Sequence, residues 1–242
     1  MLTFANRDVC TLIAKDYTTK APFLNWPYAN MTAVSASGEA VYAYGGQGHP
    51  KRVPFYGERG GTLTIETQMQ AMELFKFMTG ADIETTAEIQ VREEIAATSG
   101  SITLTGTPVE GSVFVFKLDD DCGTPVECST KGTTVTLSGE SESSNDTFIV
   151  YYLKTESTGV KKVTLKSTTF PKAAIISAET YYRTEDDMIV PYHVTAYKAA
   201  PQPNFELSFS NTGDPATVTI TCDLLVDDQD RVLDMTIIED AA

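Results

Sequence analysis

The residues of this chain that could do chemistry are few and scattered. Its cysteines and histidines are Cys10, Cys122, Cys128, Cys222, His49 and His193. Zinc needs four such ligands at close spacing, and the Cys122/Cys128 pair has neither a second pair nor a histidine near it in sequence. The pair flanks GTPVE and could form a disulfide across a turn in an oxidising compartment. Cys222 falls on the inward side of an alternating strand, which predicts a buried free thiol.

Two acidic clusters have the residue type of a calcium site but not its spacing. An EF-hand loop requires a glycine at its sixth position and a glutamate at its twelfth. Neither follows Asp119 in that register. Asp228 and Asp230 have Glu239 at the twelfth position, but Leu233 occupies the glycine position. Both clusters are therefore interpreted as solvated turns.

No arrangement typical of an enzyme is present either. The chain lacks a Gly-x-Ser-x-Gly nucleophile elbow. Its strands carry many carboxylates, but a pair at the working separation of a glycosidase cannot be placed from sequence. The sequence therefore predicts a protein that is not an enzyme, with no catalytic residue, no cofactor and no metal.

Composition and charge restrict the class of protein further. The chain has 242 residues, of which 42% are hydrophobic, enough for one large or two small all-β domains. The net charge of -15 argues against a protein that grips nucleic acid through phosphate contacts. This negative charge has two possible roles. It could simply keep the protein soluble, or it could form an acidic surface along which a polyanion passes without binding. With neither a long apolar run nor a signal peptide at the N-terminus, the sequence predicts a protein made in a cytoplasm without a membrane anchor.

Two long hairpins dominate the pattern of elements. The first runs from Thr32 to Glu66 around the glycine-rich, basic tip QGHPKR. The second occupies residues 172–201 and turns at residues 185–187. In its first strand Ile176, Ala178, Thr180 and Tyr182 alternate with Ile175, Ser177, Glu179, Tyr181 and Arg183, so the first set is predicted to share one face.

One helix is predicted after the first hairpin. Thr67 and Gln70 match a T-x-x-Q capping box, and Gly80 stands at the position expected for the C-terminal cap. The residues predicted to pack this helix against the core are Met69, Met72, Phe75 and Met78.

The remaining segments read as short strands. An alternating strand is predicted from Ala87 to Ala97. In residues 101–166 the pattern differs and predicts short strands, VKKVTLKS among them, separated by polar turns. In the closing stretch Phe205, Leu207 and Phe209 alternate with polar residues, and so do the residues from Val218 to Val226 after the turn Asn-Thr-Gly-Asp-Pro. Roughly a dozen strands and one helix exclude a parallel sheet and predict a mainly antiparallel β fold.

Several strings together resemble the tail tube (major tail) proteins of tailed bacteriophages. They are RVPFYGERGGTLTIETQMQAMELFKFMTG, TGTPVEGSVFVFKLDDDCGTPVE, TTFPKAAIISAETYYRTEDDMIVPYHVTAYKAAPQPNFEL and the closing hairpin around Gly213-Asp214-Pro215. The resemblance covers most of the chain from about Ser37. It rests on the similarity of these residue strings and on their order along the chain. It implies a β-sandwich or barrel-like subunit with one short helix, whose long hairpins form an inner barrel when copies assemble. Residues 1–242 then make a single tube domain, with residues 101–166 as an elaboration or an outer subdomain.

The resemblance also implies partners and sites. The subunit forms homo-hexameric rings that stack into a tube. It meets the tail terminator, the baseplate or tip, the tape measure and, in a contractile tail, the sheath, and DNA passes through without specific binding. It belongs to the virion and is assembled in the cytoplasm of the host bacterium. From the alternation of side chains along the two long hairpins, we predict which residues face the bore. The candidates are Glu39, Glu58, Glu66, Glu179 and Glu185. The candidates for the contact between stacked rings are Gly45, Gly46, Gln47, Gly48, His49, Lys51 and Arg52.

Two other functions stay open at this point. The strands of residues 101–166 could belong to an Ig-like decoration protein or adhesin of a virion, which binds a glycan or a capsid surface. A β enzyme acting on glycosides would need a concave site with paired carboxylates. Long hollow tubes of purified protein would distinguish a tube subunit from both.

Overall fold

The chain folds into two compact units, each described here by itself. The computed structural model describes residues 3–139, 145–209, 211 and 213–238. Unit 1 comprises Met1–Asp82 with Val163–Ala242, and unit 2 comprises Ile83–Lys162. Glu239, and Thr212 in the turn before the closing strand, lie outside the described residues. The prediction that residues 1–242 make a single tube domain, with residues 101–166 as an elaboration or an outer subdomain, stays a prediction.

The described residues are mainly β, as predicted from the sequence. In chain order the elements are β1 (Phe4–Ala5), β2 (Thr11–Asp16), β3 (Pro22–Trp26), β4 (Met31–Tyr44), β5 (Lys51–Thr67), α1 (Met72–Thr79), β6 (Ala87–Ala96), β7 (Ser101–Thr103), β8 (Phe114–Lys117), β9 (Cys128–Lys131), β10 (Thr134–Leu137), β11 (Thr147–Glu156), β12 (Ala174–Thr184), β13 (Ile189–Pro201), β14 (Val218–Leu224) and β15 (Leu233–Ile237). The sheets are antiparallel, and α1 is short. The fold class is therefore confirmed.

Unit 1 is built on a nine-stranded sheet. Its order is β3-β2-β12-β13-β14-β5-β4, with β1 also paired to β12 and β15 to β13. Both predicted hairpins form, as β4 with β5 and as β12 with β13. One row of paired residues crosses the sheet; it consists of Ala36, Gly61, Leu224, Ala199, Ala174 and Asp16.

One face of this sheet forms the hydrophobic core of unit 1. The buried residues alternate along β14, from Val218 to Leu224, and along β12, from Ala174 to Thr180, as the period-2 pattern predicts. Leu74 and Phe77 of α1 pack on this face and, with Ile65 and other strand residues, enclose the core. Burial of each large apolar side chain stabilises the unit by about 1.5–3 kcal/mol.

The helix begins later than predicted, because Thr67 belongs to the preceding strand. The Thr67 side chain is fully buried; its hydroxyl donates to the carbonyl oxygen of Tyr28 at 2.8 Å and accepts the Met69 N–H at 3.1 Å. The predicted capping box is therefore wrong. Ala71 stands at the N-cap, without a side-chain hydrogen bond. Gly80 closes the helix in the left-handed conformation, with φ 72°, as predicted.

The packing face of α1 also differs from the predicted stripe. Met69 precedes the helix and is 56% exposed, so its packing role is wrong. Met72 and Phe75 are half-buried, and Met78 is buried in the core. Once the helix starts at Met72, the residues that point inward are Leu74, Phe77, Met78 and Thr79.

Two predicted strands do not form. Residues 202–209 have no strand, and Phe209 is 92% exposed. Phe205 instead packs beside Phe75, with ring centroids 6.4 Å apart. VKKVTLKS (residues 160–167) contributes only an isolated bridge between Lys162 and Glu84. Alternation alone cannot supply a neighbouring strand with which these segments could pair.

Unit 2 consists of two three-stranded sheets with a core of its own. The sheets have the orders β7-β10-β9 and β6-β11-β8. Ile102, Val115, Val135, Phe148 and Tyr152 lie within this core and are almost completely shielded from solvent. The strand predicted at Ala87–Ala97 is β6, which pairs along its whole length with β11.

The cysteines are free thiols in this structure. Cys222 is buried in the core of unit 1, as predicted, and burial raises the pKa of its thiol to about 12. Burial also raises the pKa of Cys128 above its ordinary value. Cys122 is exposed.

Candidate assembly surface

The face of the unit 1 sheet opposite the core is polar. Glu66 lies between the buried residues Ile65 and Thr67, and Glu179 lies between Ala178 and Thr180, which are also buried. Because side chains alternate along a strand, both glutamates point away from the core. The structure thus brings two of the five bore-facing candidates to one face of one sheet.

Two further carboxylates share this face and were missed in the sequence. Asp223 lies between buried Cys222 and Leu224, and its carboxylate accepts a 2.9 Å hydrogen bond from the Gln202 amide. Asp234 pairs across β15 and β13 with Thr195, next to buried Ala196. Their position between apolar neighbours was the signal that could have found them.

The outer half of the first hairpin is a two-stranded ribbon. Residues 61–67 of β5 pair with β14 on one side and with β4 on the other, whereas residues 51–60 pair with β4 alone. The opposite edge of β4 has no partner strand within the described part of the chain. A register shift between Gly38 and Ala40 accommodates Gly57 and Glu58 opposite Glu39. Glu39 and Glu58 are exposed at this point.

This ribbon exposes large apolar side chains on both of its faces. Val41 is 70% exposed and pairs with Phe55, which is 60% exposed. Tyr56, on the other face, is 78% exposed. A hairpin without a third strand or a covered face is marginally stable in water, and its open edges are ready to pair with another chain.

The tip of the ribbon is basic. The guanidinium Nε of Arg52 donates to the carbonyl oxygen of Gly45 at 3.1 Å, and the Lys51 ammonium lies 4.0 Å from the centroid of the Tyr42 ring. Gly46 and Gly48 have φ of 92° and 88°, a conformation that glycine adopts without strain. These contacts position both cations at the end of the ribbon.

The second hairpin ends in an acidic turn. Arg183 forms a 2.7 Å ion pair with Asp187 across this turn. Glu185 and Asp186 are exposed, and neither has an ion-pair partner among the described residues. Glu185, the fifth bore-facing candidate, therefore lies at the end of the hairpin and not on the sheet face.

A short loop connects β14 to β15 and fixes the last strand beside β13. Arg231 binds the Asp227 carboxylate through two nitrogens at 2.7 and 3.0 Å. These hydrogen bonds, with others from the backbone N–H groups of Arg231 and Gln229, hold the pKa of Asp227 at about 2. The Arg231 guanidinium also stacks over the Tyr197 ring at 3.7 Å.

Within the described residues, no helix is long and apolar enough to cross a membrane. No three of the described histidine, cysteine, aspartate and glutamate side chains lie together as metal ligands.

The open edges, exposed apolar ribbon and polar sheet face have the features of a surface that assembles with other copies. A comparison with curated proteins found no match. A comparison with family models matched residues 6–238, nearly the whole chain, to the YomU/Tube protein family. This match agrees with the resemblance to phage tail tube proteins. On the evidence of the fold and of this match, the chain belongs to the YomU/Tube protein family.

Proposed function

We propose that the protein is a structural subunit of a phage tail tube, which polymerises into stacked hexameric rings and forms a negatively charged conduit for genome delivery. The observation that carries the proposal is the outer ribbon of the first hairpin, which has open edges and exposed apolar residues on both faces. Pairing of such ribbons around a ring removes the edges and packs the apolar side chains of neighbouring ribbons against one another on each face.

The polar sheet face is proposed to line the bore. Glu66, Glu179, Asp223 and Asp234 point away from the core, and Glu39 follows them by alternation along β4. Glu58, in the register shift, and Glu185, at the turn, are proposed to add charge along the same path. A bore lined with negative charge repels the phosphate backbone, so DNA slides instead of binding.

The glycine-rich tip at residues 45–52 is proposed as the contact between stacked rings. Its glycines allow close backbone approach, and His49, Lys51 and Arg52 can contact an acidic neighbour. Deleting residues 45–50 and closing the hairpin with a two-residue turn should leave the subunit folded but unable to form tubes. Tubes of normal length from the deletion variant would contradict this role.

Electron microscopy of the purified protein tests the main proposal. Negative-stain images should show hollow tubes or rings with sixfold symmetry, and their abundance should rise with protein concentration. A protein that stays monomeric at all concentrations and ionic strengths would contradict the proposal. The tail terminator, baseplate, tape measure and sheath follow as partners from the resemblance, as do the virion location and assembly in the bacterial cytoplasm. Each is tested by copurification with assembled tails.

A second candidate function concerns unit 2. It has its own core and an open groove lined by Phe114, Phe116, Tyr151 and Leu153, of which Phe114 is 52% exposed. Exposed aromatic rings in a groove are suited to binding glycans, as in an adhesin or a decoration protein. Unit 2 should then bind host surface glycans, and Phe114→Ala should abolish this binding. Monomeric full-length protein that binds a glycan would favour this function over the tube.

A further inference from the structure

The two hairpins of unit 1 project in the same direction and to a similar distance. Ala36 of β4 and Ala174 of β12 lie in the same row across the sheet. From this row β4 continues to Tyr44 and β12 to Thr184, eight and ten residues in the same direction. At about 3.3 Å per residue the strands extend about 26 and 33 Å beyond the row. The end of β12 therefore lies about two residues beyond the end of β4, a distance that long charged side chains can span.

The two ends carry matched and opposite charges. The end of the first hairpin carries two cations, Lys51 and Arg52. Neither forms an ion pair with a described residue. At the second hairpin Asp187 is neutralised by Arg183, which leaves Glu185 and Asp186 as two unpaired anions. In a chain of net charge -15, this local cationic end is an exception.

The order of the strands decides which ends become neighbours. Within one subunit the β12–β13 hairpin and the β4–β5 hairpin lie on opposite sides of β14, and β4 is the terminal strand of the sheet. On the other side of the sheet β12 is followed by β2 and β3, and the two-residue strand β1 pairs with the outer end of β12. When the free edge of β4 faces this side of the next copy, hairpins of the two kinds alternate around the ring. Only β1 then lies between each cationic end and an acidic turn.

We infer that Lys51 and Arg52 of one subunit bind Glu185 and Asp186 of the adjacent copy in the same ring. This inference rests on the proposed tube function and names a lateral contact within it. It assigns Lys51 and Arg52 to this lateral contact and leaves residues 45–49 of the tip for the contact between stacked rings. Opposite charges at the hairpin ends attract most strongly in the register that brings them closest, so they favour that register where β4 meets its neighbour. Without them the ribbons could slip by two residues and still pair their backbones.

Charge reversal tests the contact. The variants K51E/R52E and E185K/D186K each place like charges side by side, and each should raise the protein concentration needed for tube formation on the order of tenfold or more. The fourfold variant K51E/R52E/E185K/D186K restores opposite charges and should assemble like the unmodified protein. As a matched control for K51E/R52E, K117E/K131E makes the same change in net charge on exposed lysines of unit 2 and should assemble normally. Circular dichroism establishes that each variant is folded.

The outcomes separate the contact from the proposed function. Unmodified protein that forms tubes, together with double variants that assemble equally well, would overturn the contact and leave the tube function standing. A fourfold variant that stays as defective as the double variants would also overturn it. Unmodified protein that forms neither rings nor tubes would overturn both.

Discussion

Glu84 and Lys162 hold the two ends of unit 2 together. Their backbones exchange two hydrogen bonds, of 2.8 and 2.9 Å, and the Lys162 ammonium lies 2.7 Å from the Glu84 carboxylate. The chain therefore enters and leaves unit 2 at one antiparallel bridge, where paired Cα atoms are about 5 Å apart. This is the arrangement expected of a domain inserted into a host fold.

Unit 2 should be removable as a result. Replacing residues 85–161 with an Asn-Gly turn closes the Glu84–Lys162 bridge as a two-residue hairpin, so unit 1 should still fold cooperatively. The excised segment 83–162 should also fold alone, since it has its own core. Thermal unfolding followed by circular dichroism measures both. A shortened chain that shows no cooperative transition would contradict the independence of the two units.

Gly80 should be sensitive to substitution. It has φ 72°, and a β-carbon there would lie 2.2 Å from the carbonyl oxygen of Phe170. Gly80→Ala should therefore cost more than the 1–2 kcal/mol or so of left-handed strain alone. Gly213→Ala is the control, because Gly213 has φ 87° with open space around the β-carbon position. Urea unfolding that gives equal losses for the two variants would show that the clash is relieved.

The sequence predicted the pairing elements better than the helix ends. Both long hairpins and the buried alternation of β12 and β14 follow from side chains two residues apart, a local signal that burial of one face enforces. The start of α1 depends on Thr67, whose hydroxyl bonds to Tyr28, 39 residues away in sequence. A four-residue sequence motif cannot predict a contact between residues so far apart in the chain.

The candidate assembly surface also has features that the sequence predicts and features that it does not. Alternation along the strands predicts that Glu66 and Glu179 face the bore; the structure has them on the face away from the core, and their place in the bore stays a prediction. Alternation could not place Glu58, because the register shift opposite Glu39 interrupts it. Nor could alternation show that the two hairpins end within about two residues of each other. That depends on pairings through β14, which lies more than 150 residues from β5 in sequence.

The exposed apolar pair on the ribbon should be needed for assembly and not for folding. Val41 and Phe55 lie opposite each other and are 70% and 60% exposed, so Val41→Lys with Phe55→Lys should leave the thermal midpoint of the subunit nearly unchanged. Both side chains lie on the same face of the ribbon as Glu39, the proposed bore face. In a ring the lysines of neighbouring copies would crowd together on this face, and their mutual repulsion should prevent closure. Sedimentation velocity measures the loss of rings and tubes.

A matched control for this pair is Leu165→Lys with Ile89→Lys. Both side chains are exposed, at 65% and 47%, and lie away from the ribbon in sequence and pairing. This control should assemble normally. If it assembles as poorly as the ribbon variant, the defect comes from added charge and not from the ribbon.

Cys222 should make stability depend on alkaline pH. Burial raises the pKa of its thiol from 9.0 to about 12, so the folded chain keeps a proton that the unfolded chain loses. Its contribution is complete below about pH 9 and declines as pH rises towards 12, by up to about 1.4 kcal/mol per pH unit. The difference in unfolding free energy between the unmodified protein and Cys222→Ala, which cancels the other titrating groups, should shrink over this range. A pH-independent difference would contradict the prediction.

Reversal of charge on the sheet face should slow DNA passage without disturbing the tube. Glu66 and Glu179 are half-buried on the polar face and make no ion pair among the described residues, so their replacement by lysine removes no internal contact of that kind. Particles whose subunits carry E66K/E179K should have tubes of normal length but slower genome ejection, because a cationic lining binds phosphate. The slowing should weaken at high salt, since screening reduces that attraction. E66Q/E179Q separates loss of repulsion from gain of attraction and should have a smaller effect. Ejection kinetics that are the same for all three tubes would show that this face does not line the path of the DNA.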